Sequence, residues 1–347
     1  MPSVAVIVAG RNESATIERC LRSIVALDYP PELIERYYVD DGSTDGSHGV
    51  ALQIAQDSAG MLKVLQAPLN LNGLGPKKNA LRAAIEITRA DLLLFTDADA
   101  EVPRGWAKAM AAQFAPRVGA VAGLFAPDKP NGTGERLYRL ERLMHGAISA
   151  GCIGWDYPSS VCGANFAYRR QCYEELRGFA RAQVQAGDDD LMAQAIGRKG
   201  WQVRFATGAD STIRDLRFPS WHEFKDAKRR HQSTARLYPP GWLMFFWMTL
   251  AAQVGYLGGW VHTCFELSAF PVVLAGSLVR VLCDYFLLAA LARSCPLEDW
   301  RRGFLLGEVL LPFYLLLQPF LALSQRFTWK QRVLPVKMTQ SVECQES

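Results

Sequence analysis

The sequence of 347 residues has little that would mark a nucleic-acid binder, a zinc protein or a secreted one. Its net charge is only +4, and its lysines and arginines are scattered rather than gathered in blocks, which excludes the continuous basic face that phosphate backbones require. The eight cysteines, Cys152, Cys162 and Cys172 among them, form no CxxC pair and no metal-finger spacing. Free thiols in a reducing compartment are therefore expected, and zinc is not. The opening stretch MPSVAVIVAGRNE lacks a basic leading segment and a small-residue cleavage site, so it reads as a buried first strand, and the soluble part is expected to stay in the cytoplasm. No GxxxxGK[ST] loop and no kinase-type glycine loop is present, which weakens a nucleotidyl- or phosphoryl-transferase reading. There is no internal repeat and no low-complexity linker, and before about Tyr238 no long apolar run.

What is present begins with alternation. Val4–Ala9, Ile34–Val39, Lys63–Ala67 and Leu92–Thr96 have strand length, and between them lie amphipathic stretches through Ala15–Leu27, around Gly49–Gln56 and through Lys78–Thr88. Such alternation predicts an α/β fold, a mostly parallel sheet with helices on both faces. Ligands of such sheets bind at the carboxyl ends of the strands. The polar clusters fall there: Arg11-Asn12-Glu13, Asp40-Asp41-Gly42-Ser43 and Asp97-Ala98-Asp99. Further on, Val118–Gly123 and Trp201–Phe205 read as strands, Gly163–Arg170 as a strand entering a helix, and Asp188-Asp189-Asp190 as the start of a helix that runs to Arg198.

Asp97 and Asp99 leave one strand end with a single residue between them, so an extended backbone aims both to one side. Two hard oxygen donors with open positions suit Mg²⁺ or Mn²⁺ bridging a diphosphate; two solvated loop aspartates are the plain alternative. Asp41 sits in a good turn sequence, Lys77 could be a solvated surface lysine, and Asn165 could cap the following helix. Three successive aspartates are less ordinary, because adjacent like charges raise one another's proton affinity. A helix N-terminus alone would also attract acids.

The ordered stretches VAVIVAGRNE, YYVDDGSTDGS, GPKKNAL, FTDADA, GANFAYRR and GDDDLMAQAI resemble those of the family 2 inverting nucleotide-sugar glycosyltransferases of GT-A fold, over about residues 3–238. The GPKKNAL and GDDDLMAQAI forms are most similar to the ceramide- and hopanoid-type lipid glucosyltransferase branch. The resemblance implies that Ala9 and Glu13 lie along the nucleotide, that Asp41 bonds the base, usually uracil, and that Lys77 approaches the donor phosphates. It further implies Asp97 at the ribose or donor, Asp99 as the direct metal ligand, and a general base in a Glu-Asp pair. Counting back from Gly200-Trp201 aligns Asp189 with that base and Asp188 with the Glu. The family's Gln-x-x-Arg-Trp motif is absent in that form. Lys228-Arg229-Arg230-His231-Gln232 and then Arg236 stand in its place, which makes Arg229, Arg230 and Gln232 candidates for the diphosphate and Asn165 a secondary candidate on the acceptor side. Binding to anionic lipid headgroups is the alternative for the basic cluster.

From Trp242 to Leu323 charge nearly vanishes. The expected organisation is a catalytic domain over residues 1–218, an amphipathic membrane-interface helix over 219–240, a transmembrane region over 241–325 and a basic tail over 326–347. Trp242–Val261 is uncharged and of spanning length, Leu267–Ala292 carries Arg280 and Asp284 four apart, and Gly303–Leu323 holds Glu308, Pro312 and Pro319, as a kinked or re-entrant segment would. The basic loop Arg293–Arg302 and the basic tail both favour the cytoplasm. The expected protein is thus an integral membrane enzyme with its catalytic domain facing the cytoplasm, at the inner membrane if bacterial. It would move a hexose, glucose foremost, from a UDP-sugar to a lipid hydroxyl. A polysaccharide synthase of the same family is the alternative, and residues 1–218 are expected to fold by themselves.

Overall fold

The computed structural model describes residues 1–69, 74–158, 160–179, 186–235, 237–322, 326–330 and 332–335. The chain opens with β1 (Val4–Gly10), α1 (Ile17–Val25), β2 (Ile34–Asp40), α2 (Ser47–Asp57), β3 (Lys63–Gln66), α3 (Pro76–Ile87) and β4 (Leu92–Asp97). It continues with β5 (Ala100–Glu101), α4 (Trp106–Ala111), β6 (Val118–Gly123), β7 (Phe125–Pro127), α5 (Thr133–Gly154), β8 (Phe166–Arg169), α6 (Arg170–Glu175), α7 (Asp190–Arg198), β9 (Gln202–Ala206) and β10 (Ile213–Asp215). Helices α8 (Trp221–Ala235), α9 (Pro240–Thr263), α10 (Phe270–Ser294) and α11 (Phe304–Ala322) and the hairpin β11 (Arg326–Trp329) and β12 (Arg332–Pro335) complete it.

The central sheet has the order β3-β2-β1-β4-β8-β6-β9. Its pairings are parallel except around β8, which runs antiparallel to both β4 and β6. The expected α/β architecture is present, with this one reversed strand, and a small second sheet β5-β10-β7 was not foreseen. Strands as apolar as β1 and β4 are dictated by burial on both faces. On one face Val4, Val6 and Val8 meet Cys20, Leu21 and Ile24 of α1 and Trp106 and Met110 of α4. On the other, Ala5 and Ile7 meet Leu81, Ala84 and Ile85 of α3 and Met192 and Ile196 of α7. Register does the rest: Ala9 pairs with Val39 on one side and Asp97 on the other, so the polar ends of three strands finish level.

The 22-residue α5 had no counterpart among the expected elements. It carries Leu140, Leu143 and Ala147 into a third core, shared with Leu124, with Leu288 and Leu291 of α10, with Trp300 and with Phe304 of α11. The packing therefore runs on past residue 218, and the expected boundary there is not a break in the core. Among the described residues one helix, Leu267–Ser294, is long and apolar enough to cross a membrane by length and composition. That differs from the expectation of crossings at 242–261 and 303–323 as well. Helix α9 is long enough, but three tryptophans, four glycines and Gln253 lower its hydropathy, and the apolar run of α11 is shorter, at Phe304–Phe320. All three helices nonetheless turn large apolar side chains outward, including Trp247, Met248, Val272, Val279, Leu305 and Phe320. Arg280 pairs with Asp284 as expected, at 3.9 Å, and reaches Glu308 of α11 at 3.1 Å. The seven cysteines among the described residues are free thiols. The tail beyond residue 335, Lys337 included, lies outside the described residues.

Candidate active site

The level strand ends open into a cavity of about 600 Å³, within the range of small-molecule sites. Its floor is two interlocked loops. The Asn12 amide donates to Ser43 Oγ at 3.0 Å, the Glu13 amide to Ser47 Oγ at 2.8 Å, and Arg11 Nη1 to the carbonyls of Asp41 and Gly42 at 2.6 Å each. These bonds fix the loops after β1 and β2 against each other, so Glu13 and Asp41 are held by backbone and not by chance rotamers.

Ala9, Glu13, Lys77, Asp97, Asp99, Asp188, Asp189 and Arg230 all line this one cavity. Asp97, the last residue of β4, and Asp99, in the turn that follows, are half-buried with Ala98 buried between them. Lys77, in the first turn of α3, joins the two acidic clusters: its Nζ lies 2.8 Å from Asp97 Oδ1 and 3.3 Å from Asp188 Oδ2. Burial disfavours the Lys77 charge, yet Asp188 and Asp97 overcome it and raise its pKa. Burial likewise opposes ionisation of Asp188, but Lys77 and Lys78 hold its carboxyl below the usual range.

Asp189 caps α7. Its Oδ1 accepts the Asp190 amide and its Oδ2 the Gly163 amide, both at 2.8 Å. Burial, then the neighbouring Asp190 and Asp188, push its carboxyl up to about 8. Asp190 plays a different part. It is buried and accepts the hydroxyls of Thr234, at 2.9 Å, and Tyr238, which tie α7 to the end of α8. Of three adjacent aspartates, one is salt-bridged, one is structural, and Asp189 combines an aspect onto the cavity with a high proton affinity.

Opposite, at the end of β4, burial and Asp97 raise the pKa of Asp99 against the pull of Lys330 and Arg217. Burial and Asp99 push Glu13 and Asp215 each up to about 7. Among the described residues no three His, Cys, Asp or Glu side chains are gathered tightly enough to enclose a metal ion. The donor set still fits one. Hard carboxylate oxygens that strain against one another are what Mg²⁺ or Mn²⁺ needs when substrate oxygens and water supply the remaining positions.

Four expected residues fall elsewhere. Asn165 is fully buried; its Nδ2 donates to the carbonyls of Leu124 and Ser211 and its Oδ1 accepts Trp106 Nε1, so it can neither reach an acceptor nor cap the next helix. Arg229 is paired with Asp226 at 2.9 Å, and Gln232 donates to Gln318 of α11; neither lines the cavity. Asp41 is buried at the cavity's edge beneath Arg332. Arg236 is outside the described residues. The reading of the sequence missed Asp215, Arg217, Tyr138 and Lys330, which also line the cavity. Asp215 ends a three-residue strand, too short for any periodic signal, and accepts the Tyr138 hydroxyl of the unforeseen α5 at 3.1 Å.

Residues 5–177 match the model of glycosyl transferase family 2. The chain belongs to this family. Among similar proteins, a beta-monoglucosyldiacylglycerol synthase of Synechocystis sp. is 34% identical over 121 residues, 35% of this chain and 25% of that one. Cellulose synthase 2 of Novacetimonas hansenii is 25% identical over 213 residues, 59% of this chain and 13% of that one. The matched stretch thus spans a quarter or less of the length of these two relatives. The mannosyltransferase PcManGT from Pyrobaculum calidifontis, solved in complex with GDP-Man and Mn²⁺, superimposes with a TM-score of 0.52 at 21% identity, over 90% of this chain and 87% of that one. The fold is shared: a GT-A-like α/β domain. The strand-end carboxylates and Asp189 line one cavity of this domain.

Proposed function

We propose that this family 2 chain moves a hexose, glucose foremost, from a UDP-sugar to a lipid hydroxyl with inversion at the anomeric carbon. The observation that carries the reading is the arrangement of one cavity. Asp97 and Asp99 line it at the end of β4 among carboxylates of raised proton affinity, and Asp188 and Asp189 line it on the other side of Lys77, whose ammonium touches both Asp97 and Asp188. Asp99, with Asp97, would hold Mg²⁺ or Mn²⁺, which neutralises charge on a departing diphosphate. Ala9 and Glu13 would line the nucleotide, Asp41, with Oδ2 taken by Arg332 at the cavity's edge, would offer the base its other carboxylate oxygen, and Lys77 would meet the phosphates. Asp189 would accept the proton of the acceptor hydroxyl as its oxygen attacks, a contribution of typically 10²–10⁴ in rate. Both its oxygens already take one amide each, and each keeps a lone pair for that proton.

A lipid acceptor is supported by the many large apolar side chains that α9, α10 and α11 turn outward, and by the similarity to a diacylglycerol glucosyltransferase. On this reading the apolar helices sit in a bilayer and α8 at its surface, with the cavity on the cytoplasmic side. The similarity to a cellulose synthase supports a second reading, a polysaccharide product. Membranes containing the protein, incubated with a panel of labelled nucleotide sugars, separate the two. Label extracted into organic solvent, and lost in Asp99→Asn and Asp189→Asn, supports lipid transfer. Label retained in an insoluble polymer refutes it.

A further inference from the structure

The donor end of the cavity is rich in acid. Glu13, Asp97, Asp99 and Asp215 all face it. Of the cations that line the cavity from the preceding elements, Lys77 is engaged with Asp97 and Asp188, Arg217 with Glu223 and Lys228 with Glu141, while Arg11 bonds the carbonyls of Asp41 and Gly42 and Arg142 the Cys162 sulfur. A diphosphate entering such a wall meets repulsion that one divalent ion only partly offsets, and the basic cluster of α8 contributes Arg230 alone from its expected set.

The missing charge arrives from the far end of the chain. Strands β11 and β12 pair antiparallel from Arg326↔Pro335 to Trp329↔Arg332, which puts Lys330 at the tip. Its Nζ lies 2.5 Å from Glu13 Oε1, and the side chain lines the cavity. Arg332, at the start of the return strand, places Nη1 2.6 Å from Asp41 Oδ2 and Nη2 3.3 Å from the Asp41 carbonyl. Two separate contacts therefore bring this hairpin to the two loops that the strand ends present. The backbone adds an independent argument. Lys330 has φ +46°, a left-handed conformation that glycine or asparagine adopts far more readily. A lysine is strained there, so the turn alone does not account for it.

We propose that Lys330 is a ligand of the donor diphosphate, carried into the site by the C-terminal hairpin, and that Arg332 pins the hairpin to the nucleotide end through Asp41. The proposal rests on the nucleotide-diphosphate reading above. The Lys330 ammonium is held by Glu13; on entry of the donor it turns its donors to a phosphate oxygen, a movement its four-carbon stem permits without moving the hairpin.

The test uses the full chain with Mn²⁺ and calorimetric titration of UDP and uridine, with GDP and guanosine as a parallel arm. Lys330→Ala should weaken diphosphate binding about tenfold or more, as loss of a charge-assisted contact does, while nucleoside binding stays within twofold. Lys330→Arg should recover most of the loss. Arg332→Ala should weaken the diphosphates less than Lys330→Ala does. Unchanged diphosphate affinity in Lys330→Ala overturns the proposal. Equal losses for nucleoside and diphosphate also overturn it, since they mark the hairpin as mere structural support. A wild-type protein that binds neither diphosphate refutes the donor reading itself, an outcome distinct from both.

Discussion

Replacing Asp188 by Asn should shift the pH at which transfer switches on without abolishing transfer. In the native cluster the proton affinity of Asp189 is raised by burial, then by Asp190 and Asp188, and reaches about 8. The rate should therefore climb with pH to a midpoint near 8, the form that takes the acceptor proton being the ionised one. Carboxylates on adjacent residues, roughly 6 Å apart, repel by about 3 kcal/mol at an effective dielectric of 20. At about 1.4 kcal/mol per unit that is about two pKa units. Asp188 is not alone, however, because Lys77 lies 3.3 Å from it and screens part of its field. The variant keeps Lys77 in place through Asp97, at 2.8 Å, so the lysine's field on Asp189 is common to both proteins and the change is the lost Asp188 charge. The rising limb should move about one to two units toward acid. The assay is the initial rate of hexose transfer at saturating donor across pH 5.5–9.5, for wild type, Asp188→Asn and Asp189→Asn. The plateau of Asp188→Asn should stay within about tenfold of wild type, whereas Asp189→Asn should lose the limb and the rate together. A limb that stays where it was, or moves toward alkali, refutes the assignment of Asp189 as the group whose ionisation the rate reports. Because the three aspartates titrate as a set, the limb belongs to the cluster, and its displacement by a single charge is the informative quantity.

Divalent metal should raise the thermal midpoint more at pH 8 than at pH 6, because Glu13 and Asp215 at about 7 and the raised Asp99 must lose protons to receive it; Asp99→Asn should abolish the effect, as followed by differential scanning fluorimetry. In the metal-free protein these raised carboxylates and Asp189 bind more protons folded than unfolded, so stability should fall as pH rises from about 4 to about 8; a metal-free melting curve that climbs over that window contradicts the assignment. Gly163→Ala would set a Cβ 2.8 Å from Asp189 Oδ2, so the rate should drop on the order of tenfold or more with nucleotide affinity unchanged; wild-type kinetics would show that Asp189 is not held at that loop. A fragment ending at residue 218 bares Leu124, Leu140, Leu143 and Ala147, at about 1–3 kcal/mol for each large side chain, and should aggregate or melt well below the full chain; an equal melting temperature would deny the shared core.

Much of this was legible from residue order alone. The first four strands and the helices between them follow from apolar runs and amphipathic intervals, and the level strand ends from the pairing such runs adopt. Asp97, Asp99 and Lys77 could be placed together because each sits at a boundary between regular elements. What escaped notice depended on distance along the chain. Helix α5 mixes glycine and charge into its apolar face, since it packs at once on β7 and β9 and on α10 and α11. The roles within 188–190 could be separated only by partners over 20 residues away, Gly163, Lys77 and Tyr238. Arg229, Arg230 and Gln232 are near neighbours in sequence, yet helical geometry points them to three destinations. Asn165 sits in a promising motif because it bolts Trp106 to two backbone carbonyls, a structural duty that leaves the same trace in a sequence as a chemical one.

The hydrogen bonds from Thr234 and Tyr238 to Asp190 have one more consequence. They anchor the residue next to Asp189 to the short stretch of chain from which α9 departs at Pro240. On the proposed reading, with the apolar helices seated in a bilayer and Asp189 as the proton acceptor, that carboxylate would stand at a set height over the headgroups, like the stop on a depth gauge. A hydroxyl close to the glycerol or sterol level would meet it, and one displayed on a longer stalk would overshoot. A graded series of acceptors, differing only in the number of spacer units between lipid tail and hydroxyl, should therefore show a sharp optimum at the short end. A Tyr238→Phe, Thr234→Val double variant, with that stop loosened, should broaden it.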